Sequence, residues 1–158
     1  MPQQEIERKF RLRKKPRLKG VKATPIRQGY LITTNGELRV RESGRKHFVT
    51  VKSDSPRDRN EWEKKIPRWV FDLLWPHTAG RRVEKTRYEW KRRGACYAVD
   101  VYEGVHDGLI IFEAEFKSKR QSKKFKLPKR MPDAIEVTDD PAYKNRTLAT
   151  SPVPEPKP

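Results

Sequence analysis

Cysteine is nearly absent from this chain of 158 residues: Cys96 stands alone, so there is no internal disulfide framework and no second thiol for a metal motif. Histidine is almost as scarce. His47, His77 and His106 lie far apart at no metal-ligand spacing, which makes them ordinary loop or surface residues. Apolar residues make up 34% of the chain against 37% charged. No apolar stretch approaches the ~20 residues a membrane span needs, and Met1 to Phe10 has no apolar signal-peptide centre. A cytoplasmic protein without membrane association is therefore expected. Acidic residues are in deficit, with 21 Asp and Glu against 38 Lys and Arg. The resulting net charge of +17 attracts polyanions without selecting one.

A low apolar fraction can mean disorder. Here, however, the apolar residues recur in short regular runs that embed Trp62, Trp69, Trp75 and Trp90, and the length suits one domain with a buried core. Period-two segments predict eight strands, at about 4–12, 25–33, 37–43, 46–53, 59–66, 81–91, 95–103 and 109–117. Asn35-Gly36, Gly44 and Gly94 mark hairpin turns, so neighbouring strands run antiparallel. Helices are expected over 67–75, 118–126 and 141–149, the last capped by Asp140 with Pro141 in its first turn. Residues 1–150 form the domain, and 151–158, with four prolines, an extended, disordered tail.

The strand faces carry the chemistry. Strand one places Glu5, Glu7 and Lys9 in step; strand three, Arg39 and Arg41; strand four, Thr50 and Lys52. Strand five adds Glu61, Glu63 and Lys65, strand six Lys85 and Arg87, and strand eight Glu113 and Glu115. The opposite faces hold apolar residues such as Val40, Val51, Trp62 and Phe112. One charged alternate face is usually just the solvated side of a sheet. Six in one chain are better explained by a mainly β, closed eight-stranded antiparallel barrel with a few outer helices and a C-terminal helix. The interior of such a barrel is wide enough for one small, highly charged ligand.

Glu5, Glu7, Glu61, Glu63, Glu113 and Glu115 balance Lys9, Arg39, Arg41, Lys52, Lys85 and Arg87, so the whole +17 lies outside this set. Carboxylates one strand step apart repel unless a cation bridges them. Hard divalent ions such as Mg²⁺ or Mn²⁺ suit such oxygens and also bind phosphate, while Arg and Lys supply complementary phosphate contacts. Together these describe a site for a metal-complexed polyphosphate.

Glu5-Ile6-Glu7-Arg8-Lys9 resembles the Glu-x-Glu-x-Lys signature of the CYTH family, the triphosphate tunnel metalloenzymes. The resemblance continues, in family order, through Gln28 to Leu31, Glu37 to Arg41, Thr50 to Ser53, Glu61 to Glu63, Arg81 to Tyr88, Phe112 to Phe116, Glu136 to Asp140 and Tyr143 to Asn145. It is nearest to the short single-domain bacterial branch that includes inorganic tripolyphosphatases. It implies an eight-stranded tunnel and metal-dependent hydrolysis of a triphosphate with Mg²⁺ or Mn²⁺. Within it, Glu5, Glu7, Glu113 and Glu115 match metal ligands. Lys9, Arg39, Arg41, Lys52, Lys85 and Arg87 match phosphate-binding residues. Glu61 and Glu63 match carboxylates tied to a second metal or the attacking water, which Lys9 and Tyr30 assist.

Other readings keep the fold and change the substrate, to a nucleoside or thiamine triphosphate or to an adenylate cyclase reaction. A non-catalytic polyphosphate- or nucleic-acid-binding module is a further alternative, although a pure anion binder gains nothing from six carboxylates. The densest surplus charge is Lys117 to Arg130, eight basic residues in fourteen. It reads either as a solvated helix or as a docking patch for long polyphosphate or nucleic acid. Cys96 reads as a packing residue, Asp100 as reaching into the tunnel or supporting it, and Tyr143 and Lys144 as possible substrate contacts.

Overall fold

A computed structural model describes residues 6–54, 60–131 and 133–155. Its core is one antiparallel sheet of nine strands: β1 (Ile6–Arg11), β2 (Lys22–Ile32), β3 (Gly36–Ser43), β4 (Lys46–Ser53), β5 (Glu61–Lys65), β6 (Arg82–Arg92), β7 (Ala95–Tyr102), β8 (Ile110–Phe116) and β9 (Ile135–Glu136). The helices are short: α1 (Arg68–Leu74), α2 (Lys119–Lys124) and α3 (Asn145–Leu148). None is long and apolar enough to cross a membrane.

The strand order is β5-β4-β3-β2-β6-β7-β8-β1-β9. The expected antiparallel architecture is present, but with nine strands rather than eight and with an open ladder order. The reason lies on β1. Its outer edge pairs with β9, Phe10 opposite Glu136 and Arg11 opposite Ile135. The Lys9 amide donates to Thr138 Oγ1 (3.0 Å) and its carbonyl accepts from the Val137 amide (2.8 Å). With that edge used, among the described residues no ladder joins β1 to β5. The sheet instead curls. Asn145 bonds to β7 and Arg146 to Asp54 at the end of β4, strands that stand four ladder steps, about 19 Å, apart in a flat sheet.

The turns follow from local chemistry. Arg93 and Gly94 both take positive φ (51° and 77°) between β6 and β7, the two-residue geometry whose twist matches an antiparallel hairpin. Phe125 leaves α2 in extended backbone, so that helix stops short of residue 126. Its ring then packs against Phe10, Tyr97, Phe112 and Phe116. The helix expected over 141–149 is a 3-10 turn, Pro141–Tyr143, then extended Lys144 and the single turn of α3. Asp140 caps as expected, accepting from the Ala142 amide at 3.0 Å. The break lets Tyr143 and Leu148 enter the same apolar cluster. The terminal segment is docked as far as residue 155: Val153 packs on that cluster and the Pro154 carbonyl accepts from Arg11. The rest of the expected tail lies outside the described residues.

Two cores result. On the outer face Phe10, Val99, Phe112, Ala114 and Phe116 pack under Phe125, Leu127 and Met131. Tyr30, Val83, Tyr102 and Ile111 form the second with Tyr143 and Leu148. They belong to the opposite face, so that face is apolar at one end and charged along the rest. Two expected surface histidines are buried: His47 packs on Phe71 (5.1 Å), and the His106 ring donates to the Leu148 carbonyl.

Gly29 on β2 lies against the 3-10 turn Trp75–Thr78. A Cβ there would stand 2.4 Å from Thr78 Oγ1 and 2.6 Å from Thr78 Cβ, atoms held close to the backbone of a buried residue. Gly29→Ala is therefore expected to cost about 2–3 kcal/mol in urea denaturation through overpacking.

Candidate active site

Cross-strand partners point their side chains to the same side of a sheet, so the register shows which residues meet. On β1 and β8, Glu7 lies opposite Glu115 and Lys9 opposite Glu113. Arg87 lies opposite Asp100 on β7, and Lys85 opposite Tyr102. Tyr30 lies opposite Arg39, Gln28 opposite Arg41, Arg39 opposite Thr50, and Glu37 opposite Lys52. Thr50 in turn lies opposite Glu63, and Lys52 opposite Glu61. The β2–β6 and β7–β8 ladders keep the same parity, with Ile26 opposite Lys85 and Ala98 opposite Glu113. Every site residue expected from the sequence that is described therefore lies on one concave face. Glu5 lies outside the described residues.

The face holds two kinds of ion pair. At its centre Asp100, with no exposed surface, accepts from Lys85 Nζ at 2.9 Å and from Arg87 at 2.7 and 2.8 Å. Arg87 also donates to Glu113 at 3.0 Å. Burial would raise the Asp100 carboxyl, but the two cations and their hydrogen bonds outweigh it and hold it well below the usual carboxylate range. Burial likewise pulls Lys85 below the ordinary lysine value, with Asp100 only partly restoring it. Around this centre the pairs are looser: Lys9 to Glu113 at 3.6 Å and to Glu7 at 3.7 Å, Lys52 to Glu61 at 3.6 Å, and Arg41 to Glu63 at 3.7 Å. Such separations exceed hydrogen-bond length and leave donor capacity free.

The arginines of β3 are the least satisfied groups. Arg39 donates to Glu37 at 3.1 Å through Nη1, yet the Nε of Arg39 and of Arg41 are both buried with no hydrogen-bond partner. Burial depresses Arg41 below the ordinary arginine value; Glu63 opposes this, and the like charges of Arg39 and Arg87 add to it. Cations from β3 and β6 thus converge closely enough to repel one another.

Tyr30 lies on the same face but is enclosed there. It has no exposed surface, it accepts from Gln28 Nε2 at 2.7 Å, and burial raises its phenol above the ordinary value. Cys96, expected in the packing, is exposed and lies opposite Glu115 on the charged face. Tyr143 is buried, its hydroxyl accepting from Arg11 at 2.9 Å, while Lys144 is exposed.

Three residues on this face were missed. Glu37 and Arg11 continue the odd-numbered runs Glu37-Arg39-Arg41 and Glu7-Lys9-Arg11, a signal present in the sequence. Arg11 lines a cavity of about 570 Å³ at the end of the face, with Thr138, Asp139 and Tyr143. Asn145, which accepts from Tyr102 at 2.7 Å and from Lys85 at 3.4 Å, arrives from a distant helix, where strand parity gives no signal and only the resemblance over Tyr143 to Asn145 pointed to it.

Glu7 and Glu115 oppose each other directly, an arrangement that repels unless a cation intervenes. Glu115 has no cationic partner among the described residues. With Glu113 these are hard carboxylate donors, chemically suited to a divalent ion. Among the described residues no group of three such side chains is already gathered into a metal centre.

The sequence matches the family model for the CYTH domain over residues 3–130. It is 43% identical over 150 residues to an inorganic triphosphatase of Nitrosomonas europaea, spanning 93% of this chain and 97% of that one. It is 32% identical over 151 residues to an inorganic triphosphatase of Acetivibrio thermocellus, spanning 94% of each. A solved inorganic triphosphatase structure aligns at 42% identity with a TM-score of 0.74, over 94% of this chain and 95% of that one. A Hippeastrum protein with a dominant triphosphatase activity shares the fold alone, at 17% identity and a TM-score of 0.54, over 76% of this chain and 83% of its own.

Removing the Asp100 charge leaves buried Lys85 without its carboxylate, while partly buried Arg87 keeps Glu113. Asp100→Asn is expected to destabilise the protein by about 3–5 kcal/mol at neutral pH. The folded-state pKa of Asp100 lies below the unfolded value of about 3.9, so its contribution is present above that value and is lost as pH falls towards the folded one. Urea denaturation at a series of pH values should show the gap between wild type and variant narrowing below about pH 4.

Proposed function

This chain belongs to the CYTH domain family, and we propose that it is a metal-dependent inorganic triphosphatase, hydrolysing tripolyphosphate on the concave charged face. The observation that carries the reading is the pair of buried, unpartnered Nε–H donors on Arg39 and Arg41. A buried donor without an acceptor costs about 1–3 kcal/mol, and a phosphoryl oxygen above β3 would satisfy both. The named relatives, inorganic triphosphatases at 43% and 32% identity, support the same substrate class.

Phosphoryl transfer needs positioning and charge neutralisation more than covalent chemistry. In this reading Arg39, Arg41 and Lys52 hold the phosphate chain on one side, and Lys9, Lys85 and Arg87 on the other. The loose ion pairs are the ones a phosphate would replace, since their carboxylates stand beyond hydrogen-bond reach. Lys85 and Arg87, tied to Asp100, supply fixed charge.

Glu5, Glu7, Glu113 and Glu115 would hold Mg²⁺ or Mn²⁺, which would neutralise charge on the phosphate chain. Glu61 and Glu63 orient the attacking water. Thr50 fixes Glu63 by donating to its Oε2 at 2.8 Å, leaving Oε1 turned towards Arg41. Lys9 assists at the terminal phosphoryl group, and Tyr30 acts indirectly, through Gln28 and Arg39. The enzyme is read as cytoplasmic.

A phosphate-release panel over tripolyphosphate, ATP, thiamine triphosphate and pyrophosphate tests this directly. Tripolyphosphate should be the preferred substrate, and excess chelator should abolish release. Preference for a nucleotide or thiamine triphosphate would replace the assignment, and full activity in chelator would remove the metal. Arg39→Ala and Arg41→Ala should each lower kcat/KM about tenfold or more, equivalent to about 1.4 kcal/mol. The double variant should be non-additive, because both arginines contact one ligand.

A further inference from the structure

The surplus positive charge gathers in a groove on the other side of the sheet. The groove, about 740 Å³, lies between the β6–β7 turn and the segment that follows α2. Arg92, Arg93, Lys124, Lys126, Lys129 and Arg130 line it, all six exposed, and among the described residues no acidic one does. Among the described residues none of these cations has a carboxylate partner, whereas Lys9, Arg39, Arg41, Lys52, Lys85 and Arg87 on the concave face each have one. Unpaired like charges in one groove repel, so an anion bound there would relieve a standing cost.

The groove is built rather than incidental. Gln121 ties its walls together: its Nε2 donates to the Arg93 carbonyl at 3.0 Å and its Oε1 accepts from the Lys117 amide at 3.0 Å. Arg130 lies over the Trp90 ring at 5.1 Å, which fixes one cation in place. The aromatic floor is already committed. Trp90 and Tyr97 each pack on Phe112, and Phe125 stacks against the same ring. Bound bases would need free aromatic faces; a chain of phosphates needs only the cations.

We propose that this groove is a second, non-catalytic binding site for long linear polyphosphate, separated from the concave face by the thickness of the sheet. The test uses linear polyphosphate and a single-stranded oligonucleotide of matched charge as probes. Binding is measured by competition across a salt series in an Arg39→Ala background, which weakens the concave-face site. Adding Lys124→Glu, Lys126→Glu and Lys129→Glu should weaken polyphosphate binding about tenfold or more and make its logarithmic salt slope shallower by about 2–3. Arg92→Glu, on the opposite wall, should act in the same direction and keeps the test decisive if the triple variant loses its melting transition. In the otherwise wild-type chain the triple change should leave tripolyphosphate turnover unaltered. Unchanged polyphosphate affinity in both variants would overturn the proposal. So would tighter binding of the oligonucleotide, which would make this a nucleic-acid surface. Loss of tripolyphosphate turnover in a folded triple variant would show that the groove is not a separate site.

Discussion

A buried lysine and a partly buried arginine can stand one step apart on one face of the sheet because Asp100 stands between them. Lys85 and Arg87 project from the same strand, one step apart, and would repel strongly if left alone in a poorly solvated place. Asp100, opposite Arg87 on the neighbouring strand, accepts hydrogen bonds from both. An uncompensated buried charge is among the most destabilising features a fold can carry, whereas a compensated one is close to neutral. The charged face therefore depends on this triad. Elsewhere on that face Lys9, Arg41 and Lys52 each stand near a carboxylate but beyond hydrogen-bond length.

That distinction between tight and loose pairs links structure to chemistry. A face paired throughout at hydrogen-bond length would be stable but inert, because a substrate could bind only by breaking strong contacts. At 3.6–3.7 Å the pairs of Lys9, Lys52 and Arg41 keep the face near neutral yet leave their donors available. The unpartnered Nε groups of Arg39 and Arg41 take this further, into a small deficit that an anion would fill. The outer groove follows the opposite rule: among the described residues its exposed cations have no carboxylate partner, and solvent screens their repulsion.

Much of this was legible in the sequence because an extended strand has a strict period of two. Glu7 and Lys9, Arg39 and Arg41, and Glu113 and Glu115 share parity within their strands, and short hairpins carry that parity from one strand to the next. The same logic reaches Arg11 and Glu37. Contacts between distant segments were not legible: the pairing of β9 with β1, the docking of Val153, and the approach of Asn145 to Lys85 are set by the packing of the C-terminal segment on the apolar end of the face. The enclosure of Tyr30 belongs with them. Its place on the charged face follows from parity, but its burial comes from Tyr102, Tyr143 and their neighbours. Helix lengths were overestimated where a large apolar residue, Phe125 or Tyr143, gained more by turning into a core than by continuing the helix.

The central claim is that the concave face, through the β3 arginines, is where a triphosphate is held. The most direct measurement is a crystal structure with a slowly hydrolysed triphosphate analogue and a divalent ion. Phosphoryl oxygens are expected within about 3.2 Å of the Nε atoms of Arg39 and Arg41, with the ion beside Glu7, Glu113 and Glu115. An analogue bound elsewhere, with both Nε atoms still unpartnered, would contradict it.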